Sequence, residues 1–457
     1  MAASDGASWL VLGARGLALA YGLWYCSVWC VCIVGYGQLR FRMSNRRYPP
    51  TPAPRPASSA TASPAAFATP GVSIIRPLKG VDTEFESCIL SAFEQAYPIF
   101  EILLCVDDPT DPAIPIVRDI MARYPKVPSR LFIGAKKYGV NPKVNNMIVA
   151  YDAAAHDIIW ILDSNCWVTP GTLTRAVATF ACHPRVELVH HVPICVAVPP
   201  RGLGARLDEM FMSTAHAKFY VGINTFQVAS CITGKSNLFR RSTLNKVNPL
   251  GIQAFSQYIA EDQMIGEGIW ALGGRHAMSE DVALQPVSST TLTEYFVRRM
   301  RWLRVRKYIV TAATMVEPFT ECFLCGGLAT LAISVLENKF ITWFFPLHVA
   351  IWCAFDFWLF YNLHAHGNAE ITSLHEAEAI TASDTLNRLR SPTPYFALPT
   401  PVKCSLPAVG LWLATWMLRE TLALPIWITA MLGTKIVWRN RLFFIRADST
   451  AVEIRVD

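Results

Sequence analysis

With 457 residues, the chain has room for one large domain and added elements rather than several independent domains. Hydrophobic residues make up 52% and charged residues 16%, with a mean hydropathy of +0.30. This excludes an ordinary soluble globule and points to an integral membrane protein with a globular part. The net charge of +7 is modest, and no basic stripe interleaved with aromatics marks a nucleic-acid partner.

Residues 9–37 are apolar apart from Arg15 and long enough to cross a bilayer. No small-residue cleavage site is evident, so a retained anchor is expected. Arg40, Arg42, Arg46 and Arg47 follow and keep this side cytosolic by the positive-inside rule. Residues 1–47 are therefore read as an anchor with a basic flank, and the Pro-, Ala- and Ser-rich residues 48–70 as a linker.

The globular part is expected over 71–294. Strands are read at 72–78, 102–106 and 130–134, with helices at 83–95 and 114–123 between them. Asn141-Pro-Lys-Val-Asn-Asn opens another helix, which leads into a strand ending at Asp163-Ser-Asn165. The βαβα order predicts an α/β fold with a mostly parallel sheet. Ligands of such sheets bind beyond the carboxyl ends of the strands, where Asp163 falls. A carboxylate there suits a divalent cation on a diphosphate, or it simply caps the next helix. A second strand also ends in an acidic loop, Asp107-Asp-Pro-Thr-Asp111. Capping alone does not explain acids gathered at one sheet edge.

Residues 186–198 read as a strand in which His190 and His191 are core or cleft residues. His216 has no such explanation and is a site candidate. Gly234-Lys-Ser lacks the upstream glycine of a phosphate loop. Glu261-Asp262 opens a helix, where adjacent acids also gain from its dipole. Residues 295–315 hold the most basic stretch and read as an interfacial helix that could also close a cleft over an anion. Residues 316–457 carry the remaining spans, at 318–336, 340–363 and 406–432, around a polar loop at 364–404. Arg419 and Glu420 place the last segment in a bundle or break it in two. Lys435, Arg439 and Arg441 suggest a cytosolic tail. The 13 cysteines are scattered, and Cys322-x-x-Cys325 lacks the second pair of a zinc site, so a reducing environment is expected.

These pieces resemble the ceramide glucosyltransferases, GT-A (Rossmann-like) glycosyltransferases similar to family 2. The resemblance is carried by Arg76-Pro-Leu-Lys-Gly-Val-Asp82, Leu104-Cys-Val-Asp-Asp-Pro-Thr-Asp111 and Arg130-Leu-Phe-Ile-Gly-Ala-Lys-Lys. It continues through Asn141-Pro-Lys-Val-Asn-Asn, Tyr258-Ile-Ala-Glu-Asp262 and Arg298-Arg-Met-Arg-Trp302. It implies inverting transfer of glucose from UDP-glucose to the primary hydroxyl of ceramide. Asp262 would be the base, Arg298 and Arg301 would stabilise the leaving diphosphate, and Trp302 would wall the sugar or acceptor. Asp111 would bind the uridine part, Lys143 a phosphate, and His216 would line the cleft. Asp163 would hold Mn²⁺ or Mg²⁺, with affinity weakened because Asn165 stands where many relatives carry a second aspartate. The resemblance further implies a multi-pass Golgi or endoplasmic-reticulum protein with its catalytic domain on the cytosolic face of the bilayer. Weighed against it are a processive polysaccharide synthase using a UDP-sugar and a non-catalytic scaffold or transporter. Oligomeric state is not legible.

Overall fold

The structure, a computed structural model, describes residues 2–44, 69–366, 393–398, 405–439 and 441–454. Most of the expected linker and of the polar loop lie outside the described residues. The chain opens with helix α1 (Ala2–Ser44). It then runs β1 (Val72–Leu78), α2 (Phe85–Phe93), β2 (Phe100–Val106), α3 (Ala113–Arg123), β3 (Ser129–Ile133), α4 (Pro142–Asp152), β4 (Ile158–Leu162) and α5 (Thr172–Ala181). Next come β5 (Val186–Ala197), α6 (Leu203–Phe211), a π turn (Met212–His216), α7 (Ala217–Phe226), β6 (Ser236–Arg240), α8 (Arg241–Val247) and α9 (Glu261–Ala271). After β7 (Arg275–Val287) follow α10 (Leu292–Ile309), α11 (Thr311–Val316), α12 (Cys322–Leu336), α13 (Phe344–His366) and α14 (Leu406–Met431). Three short strands close the chain: β8 (Lys435–Trp438), β9 (Arg441–Ile445) and β10 (Ala451–Ile454).

The first seven strands form one sheet in the order β3-β2-β1-β4-β6-β5-β7. β1 pairs in parallel with β2 and β4, β2 with β3, and β5 with β7, while β6 runs antiparallel between β4 and β5. The expected α/β class with a mostly parallel sheet is what forms. Every residue of β1 and β4 is buried, as strands covered on both faces require. Strand periodicity splits them: Ile74 and Trp160 pack with α2, α3 and α5 on one face. Ile75 and Ile159 pack with α4, α8 and α9 on the other.

Among the described residues, two single helices are long and apolar enough to cross a membrane, Val11–Met43 and Phe344–Ala365. α1 lies against α7 at close range. A Cβ on Gly35 would come within 2.0 Å of Lys218 O, and one on Gly222 within 2.6 Å of Val31 O, so only glycine permits this approach. Lys218 Nζ sits 2.6 Å from Asp356 Oδ1, with side chains 1% and 0% exposed, and lies over the Trp352 ring. The Trp416 indole N–H donates to the other carboxylate oxygen of Asp356 at 3.0 Å.

The span expected at 318–336 falls in a bent helix pair, Thr311–Thr320 and Cys322–Leu336, which is long and apolar enough to cross only when the two segments are taken together. α12 has 15 residues, about 22 Å at helical rise, short of a hydrocarbon core of about 30 Å. It bends 74° from the segment Thr311–Thr320. Pro318, within a 3-10 turn at Glu317–Thr320, helps break the path. The last apolar segment is one unbroken helix, α14, whose charge pair is buried in the bundle. Arg419 pairs with Glu420 and, at 2.7 Å, with Glu321. α10 begins at Leu292, earlier than expected, where Thr291 and Glu294 form a reciprocal capping box.

Candidate active site

β1 is flanked by β2 and β4, so the chain reverses its direction of travel across the sheet there. A crevice opens at that point beyond the carboxyl ends of the strands. Asp163 follows β4 directly, Asp82 lies in the turn after β1, and Asp111 in the loop after β2. The ends of β2 and β4 stand two strand spacings apart, about 10 Å. Asp111 is buried and staples the edge together: Gly80 N–H donates to Oδ2 at 2.8 Å and Ala113 N–H to Oδ1 at 2.9 Å.

α4 brings the first cation. Its N-cap is Asn141, whose side-chain oxygen accepts from the Lys143 and Val144 N–H groups. The Asn141 amide donates to Tyr258 O at 2.7 Å and to Glu261 Oε2 at 2.9 Å, so the starts of α4 and α9 are clamped together. Lys143 then places Nζ 2.8 Å from Asp163 Oδ1 and 3.0 Å from Glu261 Oε1. Lys235, from the loop before β6, places Nζ 3.2 Å from Asp163 Oδ2 and 3.5 Å from Asn165 Oδ1. Burial works to raise the Asp163 pKa, but Lys143 and Lys235 outweigh it and hold the carboxylate below its usual range. Burial likewise opposes the charge on Lys143, and Asp163 and Glu261 push its pKa up regardless.

Asp262 occupies the opposite electrostatic situation in the same pocket. It lies beside Gly234, where an added Cβ would come within 2.8 Å of Asp262 Oδ2. Asp262, Glu261, Lys143 and Gly234 line one small cavity, with Asn237 and Ile265. Burial first, and then the negative charge of Glu261, raise its pKa to about 7, with Lys143 working against the rise. One site thus holds a carboxylate kept ionised and a second one able to take up a proton near neutrality.

α10 brings the basic side. Arg298 Nη1 lies 2.9 Å from Asp208 Oδ2, which aims its guanidinium, and its charge reaches Asp82. Arg301 is partly buried and makes no hydrogen bond or ion pair among the described residues. Burial, then the charges of Arg298 and Arg439, lower its pKa to about 10. Trp302 packs 6.5 Å from the Phe211 ring and under the Arg298 guanidinium. Arg299 and Arg306 turn to Glu317, and Arg304 donates to the carbonyl of Thr429. Apart from Arg301, the cations of this helix therefore have protein partners.

The structure brings Asp163, Lys143 and Asp262 into one cluster, and Asp82 connects that cluster electrostatically to Lys235 and Arg298. His216 stands one layer back. It stacks on Tyr220 with centroids 5.0 Å apart, and its Nε2 lies 3.5 Å from Thr233 Oγ1, beneath the loop that carries Gly234 and Lys235. Burial, then Arg299 and Arg306, lower its pKa to about 3, so it is neutral. His190 and His191 are buried in β5, as expected, bonded to Tyr220 and Ser236. Sequence reasoning missed Lys235, Glu261 and Asp82 as site residues. Lys235 belongs to a Gly-Lys-Ser run that lacks the spacing of a phosphate loop, although a lysine next to a glycine before a strand is itself a usable signal.

Among the described residues, no group of three or more His, Cys, Asp or Glu side chains could hold a metal ion. Asp163 Oδ2 and Asn165 Oδ1 nevertheless converge on a single cation, Lys235 Nζ. Two hard oxygen donors at a cationic position fit a divalent ion.

The profile of glycosyl transferase family 21 matches residues 27–382. The chain belongs to that family. This family 21 glycosyltransferase is 38% identical over 503 aligned residues to a protein of Komagataella phaffii named ceramide glucosyltransferase, covering 97% of this chain and 92% of that one. A protein of the same name from Candida albicans is 33% identical, with 94% and 97% covered. Ceramide glucosyltransferase 3 of Caenorhabditis elegans is 28% identical, with 82% and 73% covered. Among solved structures, a Pyrobaculum calidifontis mannosyltransferase in complex with GDP-Man and Mn2+ superposes on the family 21 chain with a TM-score of 0.42. Identity there is 17%, with 92% of this chain and 98% of that one covered.

Proposed function

We propose that this glycosyltransferase moves glucose from UDP-glucose to the primary hydroxyl of ceramide with inversion, releasing UDP at the cytosolic face of a Golgi or endoplasmic-reticulum membrane. The observation that carries the reading is the pairing of Asp262 with the Lys143–Asp163 cluster in one cleft, in a chain whose relatives bear the name ceramide glucosyltransferase.

Asp262 accepts the proton of the acceptor hydroxyl as its oxygen attacks the anomeric carbon. The bond from that carbon to the diphosphate breaks, and its electron pair leaves with UDP. Arg298 and Arg301 meet the charge that grows on the diphosphate, and Lys143 approaches it from the α4 side. Asp111, in the loop after β2, would meet the uridine part. Trp302 offers an apolar wall, and His216 supports the cleft from behind. Asp163 and Asn165 would hold Mn²⁺ or Mg²⁺, which would supply charge neutralisation at the diphosphate. The apolar helices at both ends hold the domain where a lipid acceptor can reach the cleft from the bilayer.

Membranes containing the chain, incubated with UDP-glucose and ceramide, are expected to yield glucosylceramide, identified by mass spectrometry of the lipid extract. A polymer in place of the glycolipid would support a polysaccharide synthase, and no sugar transfer at all would support a scaffold.

A further inference from the structure

The C-terminal sheet is the element to which the proposed reaction gives no part. Its strands pair antiparallel in the order β10-β9-β8. Ile436, Phe443, Ile445 and Ala451 form one apolar cluster with Val305 of α10, and Val140, Ile259 and Ala260 pack against it. Those last three residues lead directly into Asn141 and Glu261. Ala451 N–H donates to Gln257 O at 2.9 Å, and Thr450 bridges to Tyr258. The sheet is thus fastened to both walls of the candidate site, α10 on one side and the approaches to α4 and α9 on the other.

Arg439 stands in the turn between β8 and β9, with φ 51°. Two-residue hairpin turns of this kind favour glycine, asparagine or aspartate at positive φ, and arginine meets that demand poorly. Its guanidinium lies over the Trp438 ring, 5.4 Å from the centroid. It is partly buried and lies within electrostatic reach of Asp163, Glu261 and Asp82. Among the described residues it makes no hydrogen bond or ion pair. Arg301, within its electrostatic reach, makes none either. Two guanidinium groups that repel each other and have no acceptor among the described residues are costly to bury. An anion with several acceptor oxygens removes both costs at once.

We infer that Arg439 is a further guanidinium contact for the diphosphate of the sugar-nucleotide donor, beside Arg298 and Arg301, and that the C-terminal sheet is a wall of the donor site. This rests on the donor reading proposed above.

The test uses the purified full-length enzyme, with UDP and uridine as inhibitors competing against the donor. Arg439→Gln is expected to raise the donor KM and weaken UDP inhibition about ten- to a hundredfold, the size of a lost charge-assisted contact. Uridine inhibition and the acceptor KM are expected to stay at parental values, because neither ligand carries the diphosphate. Arg439→Lys keeps the charge without the forked geometry and is expected to lose part of the UDP affinity. The inference is overturned by parental UDP inhibition in Arg439→Gln, or by equal losses for UDP and uridine. If Arg439→Gln proves unstable on thermal unfolding, parental UDP inhibition in Arg439→Lys overturns it instead. Arg301→Gln and Asp163→Asn separate the two readings. If they weaken UDP inhibition and Arg439→Gln does not, the role of Arg439 alone falls. If all three leave it unchanged, the donor site itself is misplaced.

Discussion

Lys143 sets its ammonium 2.8 Å from Asp163 Oδ1 and so ties the start of helix α4 to the carboxyl end of strand β4. The same ammonium lowers the proton affinity of Asp262, which burial and Glu261 raise. One lysine therefore acts on Asp163 and Asp262 alike. Replacing it by methionine removes the charge that restrains Asp262, so the Asp262 pKa moves higher. Because a general base works in its deprotonated form, the acidic limb of the kcat/KM profile is expected to shift to higher pH in Lys143→Met. The measurement is rate against pH for parent and variant; limbs at the same pH would contradict the assignment of Asp262 as the titrating base.

Asp262→Asn keeps the shape of the side chain and loses the proton acceptor. Transfer is expected to fall by about a hundredfold or more, as for loss of a general base, with UDP inhibition and thermal unfolding close to the parent. Turnover at the parental rate would remove Asp262 from the chemistry.

Asp163 and Asn165 would supply only one charge to a divalent ion, so such an ion is expected to exchange readily. Exhaustive chelation should abolish transfer, and Mn²⁺ or Mg²⁺ should restore it. Asn165→Asp, with a second carboxylate, is expected to retain activity at lower free metal. Full activity after chelation would mean that Lys143, Lys235 and the arginines neutralise the diphosphate by themselves.

The Lys218–Asp356 pair is buried on both sides, and its partners are 138 positions apart in the chain. Lys218→Met leaves Asp356 charged, buried and without its cation, a loss of about 3–5 kcal/mol. Thermal unfolding in detergent is expected to show a clear drop. The double variant Lys218→Met/Asp356→Leu is expected to recover much of it, because no orphan charge remains. A double variant as unstable as the single one would show that the pair stabilises beyond mutual neutralisation.

α1 and α7 meet through Gly35 and Gly222, where a Cβ on Gly35 would collide with a backbone carbonyl that cannot yield. Gly35→Val is expected to push α1 away from α7 and lower the unfolding temperature, with donor KM unchanged in the enzyme that remains folded. A melting curve identical to the parent would show that the two helices do not need this contact.

The sequence by itself determined the α/β class, the order of β1 to β4, the placing of acids at their carboxyl ends, and the apolar helices at each end. These are local properties: a buried strand is an apolar run, a helix start is a cap, and a span is a length of hydrocarbon. It also supplied Asp163, Asp262, Lys143 and the Arg298–Trp302 stretch through a resemblance that the family match supports. Only the tertiary structure decided which charges meet. Lys235 on Asp163, Glu261 on Lys143 and Asp356 on Lys218 join residues whose neighbours in sequence say nothing about each other. It also decided that 318–336 bends instead of crossing straight, and that the last strands pack back against the approaches to the candidate site. Ion pairs and returning segments depend on distances fixed by packing, and no local period in the chain records them.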